Sequence, residues 1–166
     1  MSKTKEQIAA TLKTAMKGEE DGFHFYDLVA KKVTNPDAKR KLEGLRDDEV
    51  RHLKTLKGFY EKFVGGEIGE LPEKGLSVLT EVFRKGQVHN MKTEMEFINL
   101  AIEAELAATK FYQEERDLID DAEFSKVLDE LAEEEHGHFE LLQAEKDAIG
   151  GNYNWFGYDH GAPLEH

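Results

Sequence analysis

Six residues carry the chemistry in this sequence: Glu19, Glu49, His52, Glu105, Glu135 and His138. They come in two matched sets. Sliding the first half onto the second by 86 residues aligns Glu19 with Glu105, Glu49 with Glu135 and His52 with His138, without a gap. Over positions 15–64 the same shift gives nine identities, the others being Ala15/Ala101, Phe25/Phe111, Tyr26/Tyr112, Leu42/Leu128, Leu45/Leu131 and Leu56/Leu142. Ordinary residue usage would give about three. Each half reads Glu, Tyr seven on, a second Glu thirty on from the first, and His three further.

These side chains fall on apolar helical seams. Glu19 keeps helical spacing with Leu12, Ala15, Phe23 and Tyr26. Glu49 and His52 continue the row Leu42, Leu45, Leu53, Leu56, Glu105 sits between Ala101 and Ala108, and Glu135 and His138 between Leu131 and Leu142. Their neighbours Glu20, Asp48, Glu133 and Glu134 lie about 100° or more away, on faces that reach water. Buried, unpaired carboxylates are costly and would protonate. A buried ion-pair cluster would need cations, and no Lys or Arg shares the seam. Four Glu carry four negative charges, which two divalent ions neutralise. Glu-x-x-His sets a carboxylate and an imidazole one turn apart on one face. Oxygen and imidazole donors without thiolate suit iron or manganese, and zinc could also bind. One Glu from each of two helices with Glu-x-x-His from each of two others is the dinuclear carboxylate pattern of helical bundles. Tyr26 and Tyr112 fall near the same level, as core tyrosines or as donors that orient a ligand carboxylate. His24 and His136 fall off the seam, and His89 and His160 lie outside the helices.

Four long helical patterns position these residues. The first runs from about Lys5 to Val33, with Ile8, Leu12, Ala15, Phe23, Tyr26 and Ala30 as its stripe. Asn35-Pro36 restarts the chain with a cap and a proline suited to the first helical position. The second helix reaches about Phe63, where Gly65-Gly66 ends it. The third begins near Asn90 or Thr93, Thr93 and Glu96 reading as a capping box. It runs through Met95, Ile98, Ala101, Ala108 and Tyr112 to about Ile119. The fourth follows the Asp120-Asp121 turn through Phe124, Leu128, Leu131, Leu142 and Ala148. Between the pairs, about residues 64–90 form a connection with one short helix around Leu76–Phe83, long enough to travel the length of a bundle. The order predicts an all-α, ferritin-like four-helix bundle: two antiparallel hairpins joined by a long crossover, over residues 1–151. In each hairpin the two Glu lie about 15 residues, or roughly 22 Å, from the turn, so all six side chains can meet at one level. Residues 152–163 form a tail with Tyr153, Trp155, Phe156 and Tyr158, expected to cap the bundle or pack on a partner, and Leu164-Glu165-His166 resemble the start of a vector-encoded tag.

Composition sets limits. The chain has 166 residues, 22 Lys+Arg against 35 Asp+Glu and a net charge of −13, which argues against phosphate-tracking nucleic-acid binding and adsorption to anionic membranes. It contains no cysteine, which excludes disulfides, zinc–thiolate sites, iron–sulfur clusters and a rubredoxin-type iron centre. No apolar run approaches the roughly 20 residues that span a bilayer. Met1 to Gln7 lacks a signal-peptide core, so the expected location is cytoplasmic.

Gly18-Glu19 to Tyr26, Glu49-Val50-Arg51-His52, Glu105 to Tyr112 and Glu135-His136-Gly137-His138 resemble the rubrerythrin-like branch of the ferritin-like superfamily, over about residues 5–149. The resemblance implies a di-iron site ligated by Glu19, Glu49, His52, Glu105, Glu135 and His138, with Glu49 and Glu135 bridging and the histidines terminal. Peroxidase-type members usually carry a further Glu one turn after the third-helix ligand, where this chain has Ala108, and a rubredoxin domain, for which it has no cysteine. An external electron donor is therefore expected. The implied function is oxidoreductase chemistry with hydrogen peroxide or dioxygen. The alternatives are ferroxidase and iron storage, or a non-enzymatic metal-binding bundle. A storage shell is not expected, since no helical stripe follows Gly150-Gly151. The apolar residues of the crossover (Leu76, Val78, Leu79, Val82, Phe83) and the aromatic tail predict a homodimer.

Overall fold

The computed structural model of the chain describes residues 3–76 and 78–157. Met1, Ser2, Tyr158, His160, the 164–166 stretch and the side chain of His89 lie outside the described residues. Five α-helices follow in order: α1 (Lys5–Lys32), α2 (Pro36–Phe63), α3 (Val78–Arg84), α4 (Glu94–Arg116) and α5 (Ala122–Ala148), with a 3-10 turn at Gln87–Asn90. No strand occurs among the described residues; Gly150 and Tyr153 make one isolated bridge. The long helices start where side chains satisfy the free N–H groups of the first turn. Thr4 with Gln7 and Thr93 with Glu96 form capping boxes. Asn35 caps α2 ahead of Pro36, and Asp121 caps α5.

α1 packs along α2 and α4 along α5, and the two hairpins meet through α1 with α4 and α2 with α5. This is a ferritin-like helical bundle. The apolar core is divided into two. One cluster joins Phe25, Val29, Leu42, Leu45, Phe97 and Leu142; the other joins Leu12, Met16, Leu56, Tyr112, Phe124 and Leu128. Along every long helix the layer between them is polar: Glu19, Glu49 with His52, Glu105, and Glu135 with His138, all buried. The α1–α2 turn lies at the end of the first cluster and the α4–α5 turn at the end of the second. The crossover therefore runs the length of the bundle. On the way Leu76 packs on the second cluster and Leu79 joins the first, so the crossover passes over the polar layer.

Hydrogen bonds pin that passage. Thr80 Oγ1 donates to Asp21 Oδ2 at 2.5 Å, Gly75 N–H donates to Thr80 Oγ1 at 3.1 Å, and Lys17 pairs with Asp21 at 3.2 Å. The tail seals the far end of the bundle. Trp155 is 1 % exposed; its carbonyl accepts from the N–H groups of Thr34 and Asn35, its N–H donates to Glu94 and its indole N–H donates to Glu145. The tail thus caps its own bundle, and Leu79, Val82 and Trp155 are covered within the chain.

Four sequence expectations are corrected. Met95 and Ala148 are exposed rather than on the stripes of their helices. Phe23 is half-buried, and Gly22 and Phe25 take the core-facing positions. α1 packs against α2, α3 and α4 at once, so its buried face is wider than a single stripe. The third long helix stops at Arg116 rather than near Ile119, because Asp117 to Asp121 form the turn and the next cap.

Candidate metal centre

The structure brings all six singled-out residues into one buried layer. Ligand-type atoms of Glu19, Glu49, His52 and Glu135 lie within 4.8 Å of one another, as do those of Glu49, Glu105, Glu135 and His138. Glu49 and Glu135 belong to both quartets. Each imidazole turns Nδ1 inward. His52 Nδ1 is 3.3 Å from Glu19 Oε2 and 3.4 Å from Glu135 Oε1. His138 Nδ1 is 3.2 Å from Glu135 Oε1 and 3.4 Å from Glu105 Oε1. The two rings lie nearly parallel, their centroids 6.0 Å apart.

Outward, each Nε2 meets an acid from the other hairpin. His138 Nε2–H donates to Asp48 Oδ2 at 2.9 Å, and His52 Nε2–H donates to Glu134 Oε1 at 3.2 Å. A carboxylate on Nε2 fixes the tautomer and leaves the Nδ1 lone pair for a ligand. Sequence reasoning placed Asp48 and Glu134 on solvated faces. Both are only part-exposed, and they are equivalent under the 86-residue shift, an acid in each case, which was the available signal.

The tyrosines cross between hairpins in the same symmetric way. Tyr26 on α1 donates to Glu105 Oε1 on α4 at 2.5 Å, and Tyr112 on α4 donates to Glu19 Oε1 on α1 at 2.6 Å. Burial, then the charges of Glu105 and Glu49, push the Tyr26 hydroxyl well above its usual range. Burial and Glu19 do the same for Tyr112. Both stay protonated donors at neutral pH. His24 and His136 are exposed and take no part.

The layer is electrostatically unbalanced as a bare protein. Burial, followed by repulsion from Glu135 and Glu19, raises Glu49 well above the carboxylate range. Burial, then Glu105 and Glu19, pushes Glu135 up to about 8. Burial lowers His52, but the Glu19 hydrogen bond and charge, with Glu135 and Glu134, outweigh it and raise the imidazole to about 9. Burial also opposes protonation of His138, yet the adjacent Glu105 and Glu135 lift it to about 11. Among the described residues, four inward atoms lack a well-aligned hydrogen-bond partner: Glu49 Oε1, Glu105 Oε2, Glu135 Oε1 and His138 Nδ1. Buried polar atoms are rarely left so. They point into the layer where the two quartets overlap, and this hard-oxygen and imidazole set is able to hold metal ions.

Small residues open the layer on the α1–α4 side. Gly18, Gly22, Ala104 and Ala108 line a cavity of about 20 Å³, with Leu76 and Leu79 of the crossover among its walls. The glycines make room for neighbouring side chains. A Cβ on Gly22 would stand 2.3 Å from Glu49 Oε2, and one on Gly18 would stand 2.7 Å from Leu76.

The family model described as Rubrerythrin matches residues 10–146, a stretch that holds the whole layer. A solved structure, a hypothetical protein from Pyrococcus furiosus, aligns with a TM-score of 0.71 at 24% identity, covering 84% of this chain and 88% of that one. It speaks for the fold. No curated protein matches.

Proposed function

The chain belongs to the rubrerythrin family, and from that premise we propose that it is a di-iron carboxylate oxidoreductase acting on hydrogen peroxide or dioxygen. The pair of buried quartets that share Glu49 and Glu135 carries the reading. Glu49 and Glu135 would bridge two ions; Glu19 with His52, and Glu105 with His138, would complete the two ends. Two ferrous ions held there would supply the two electrons that reduce an O–O bond. Manganese or zinc would fit the same donors in isolated protein.

The remaining work falls to the chain's own groups. Tyr112 and Tyr26 each hold one oxygen of Glu19 and Glu105 by a hydrogen bond, and the second oxygen of Glu19 faces His52 Nδ1 at 3.3 Å. Asp48 and Glu134 hold the imidazole orientation. The cavity of about 20 Å³ beneath Leu76 and Leu79 is also walled by Glu19, Glu49, Glu105 and Glu135, so it is the space beside the carboxylates that would hold the ions. Ala108 puts a methyl group in the cavity wall, where it offers no proton.

The electron donor lies outside this sequence, which has no cysteine for a rubredoxin-type centre. The proposed location is the cytoplasm, where reductant is at hand. No helix among the described residues is long and apolar enough to cross a membrane. The proposed assembly is a homodimer. With the crossover and tail largely spent within the chain, its support is the apolar row on the outer face of α4, where Met95 and Leu106 are exposed.

The test is anaerobic loading with Fe(II), then separate additions of peroxide and oxygen while the near-ultraviolet absorbance of the oxidised centre is followed. Two irons per chain and a stoichiometric change with at least one oxidant are expected. Loaded protein that changes its spectrum with neither would leave a metal-binding bundle without redox function.

A further inference from the structure

We propose that the two ends of the cluster hold their ions unequally: the ion at the His52 end is retained and the ion at the His138 end exchanges. The inference rests on reading the cluster as a two-ion site. Its motive is a break in the internal symmetry. The 86-residue shift pairs Asp48 with Glu134, Glu49 with Glu135 and His52 with His138, but it pairs Arg51 with Gly137.

Arg51 braces the two backing acids to different degrees. Its Nη2 bonds Glu134 Oε1, and its Nη1 lies 3.4 Å from Glu134 Oε2, a two-point clamp. Asp48 receives a single contact, 3.3 Å from the same Nη2. Glu134 backs His52, and Asp48 backs His138. One imidazole therefore leans on a carboxylate fixed by a guanidinium fork, the other on a carboxylate held at one point. A clamped partner restricts rotation of the ring it orients and keeps the ligand aimed.

Position 137 is where a second arginine would complete the symmetry. It holds glycine in the middle of α5, and a Cβ built there meets nothing within 4 Å. Space does not require the glycine, and a helix-interior glycine costs about 1 kcal/mol relative to alanine. It leaves the outer side of His138 with no side chain from position 137 over it. The His52 side chain is fully buried, whereas 8 % of the His138 side chain is exposed. The His138 end of the cluster is therefore the less covered of the two.

The probe is Co(II), bound to the full-length chain and followed by its visible absorption after excess EDTA is added. Release should come in two phases, one ion each, with rates that differ by at least about tenfold, the lower bound for loss of an outer partner at a metal site. His138→Ala should remove the fast phase and His52→Ala the slow one. Gly137→Arg, at an open helix position, should slow the fast phase, and Arg51→Gln should speed the slow one. Circular dichroism verifies that both surface variants fold. Release of both ions in a single phase would overturn the inequality and leave the two-ion reading intact. So would two phases that neither Gly137→Arg nor Arg51→Gln moves. Protein that binds no Co(II) would instead bring down the metal-site reading itself.

Discussion

Tyr26 Oη on α1 stands 2.5 Å from Glu105 Oε1 on α4, so the first hairpin holds a carboxylate of the second. Tyr112 returns the contact to Glu19 at 2.6 Å. In Tyr26→Phe, Glu105 loses its hydroxyl donor while its other oxygen already lacks a partner. A buried acceptor stripped of its donor costs about 1–3 kcal/mol. Loss of an outer partner costs a metal site about 10–100-fold in affinity. Tyr26→Phe and Tyr112→Phe should therefore behave alike. Each lowers the melting temperature of the bare protein and weakens Co(II) binding within those ranges, as read by calorimetry and competition titration. Variants with unchanged affinity would reduce the tyrosines to core packing.

Iron content tests the charge balance. Four buried carboxylates match two divalent ions, so saturating anaerobic Fe(II) should give about two ions per chain by elemental analysis. Glu135 serves both quartets. Glu135→Ala should lose at least one ion and destabilise loaded protein more than bare protein. Under repeated additions of Fe(II) and oxidant, iron should stall near that ratio. Soluble iron that climbs to tens per chain, in a particle of about 24 chains, would move the assignment to storage.

The pH dependence of the bare protein follows from its raised groups, among which Glu49 acts in the same direction as Glu135. Glu135, raised to about 8, contributes stability that is full below its ordinary value near 4.5 and is lost as pH rises through 8. His52 and His138, raised to about 9 and about 11, contribute stability that is full below 6.5 and is lost above it through those values. All three have the same sign. Bare protein should melt at progressively lower temperature from about pH 5 to pH 9, and the rise in melting temperature on adding Co(II) should grow over that range, because the ion displaces these protons. An ion-induced rise that shrinks with pH would contradict the assignment.

Light scattering at micromolar concentration should show a dimer. Leu106→Glu, on the exposed face of α4, should convert it to monomer without a change in metal content. Wild type that is monomeric throughout would refute the pairing.

The six cluster residues were legible in the sequence because two independent periods agree on them: the helical seam and the 86-residue repeat. The caps at Asn35 and Thr93 were legible because local chemistry decides them, whereas Asp121 read only as part of a turn. Asp48 and Glu134 were not singled out, since an acid beside a seam looks solvated until the other hairpin's histidine is placed against it. Arg51 was invisible for the same reason. Trp155 sits in a segment without period, and the meeting of the α1–α2 turn, α4 and α5 at the bundle end gives it a socket. The crossover was legible as a length and not as a path. Its course over the polar layer follows from Thr80 meeting Asp21 and from Leu76 lying on Gly18.

Gly22→Ala separates folding from metal binding by the sign of its two effects. Gly22 lies inside α1, where alanine is the better helix former by about 1 kcal/mol. On that ground alone the variant gains stability. But the added methyl would stand 2.3 Å from Glu49 Oε2, and the carboxylate must swing away. In bare protein that swing relieves repulsion, since Glu49 is crowded by Glu135 and Glu19. In loaded protein it withdraws an oxygen from the atom set that both quartets share. The bare variant should therefore melt no lower than wild type, while Co(II) binding falls by at least about tenfold, the lower end for disturbing a carboxylate at a metal site. Calorimetry on the bare protein and competition titration on the loaded one give the two readings. A variant that keeps its affinity would show that Glu49 binds from another position. A variant that loses affinity and stability together would show a packing defect in α1 instead of a displaced ligand.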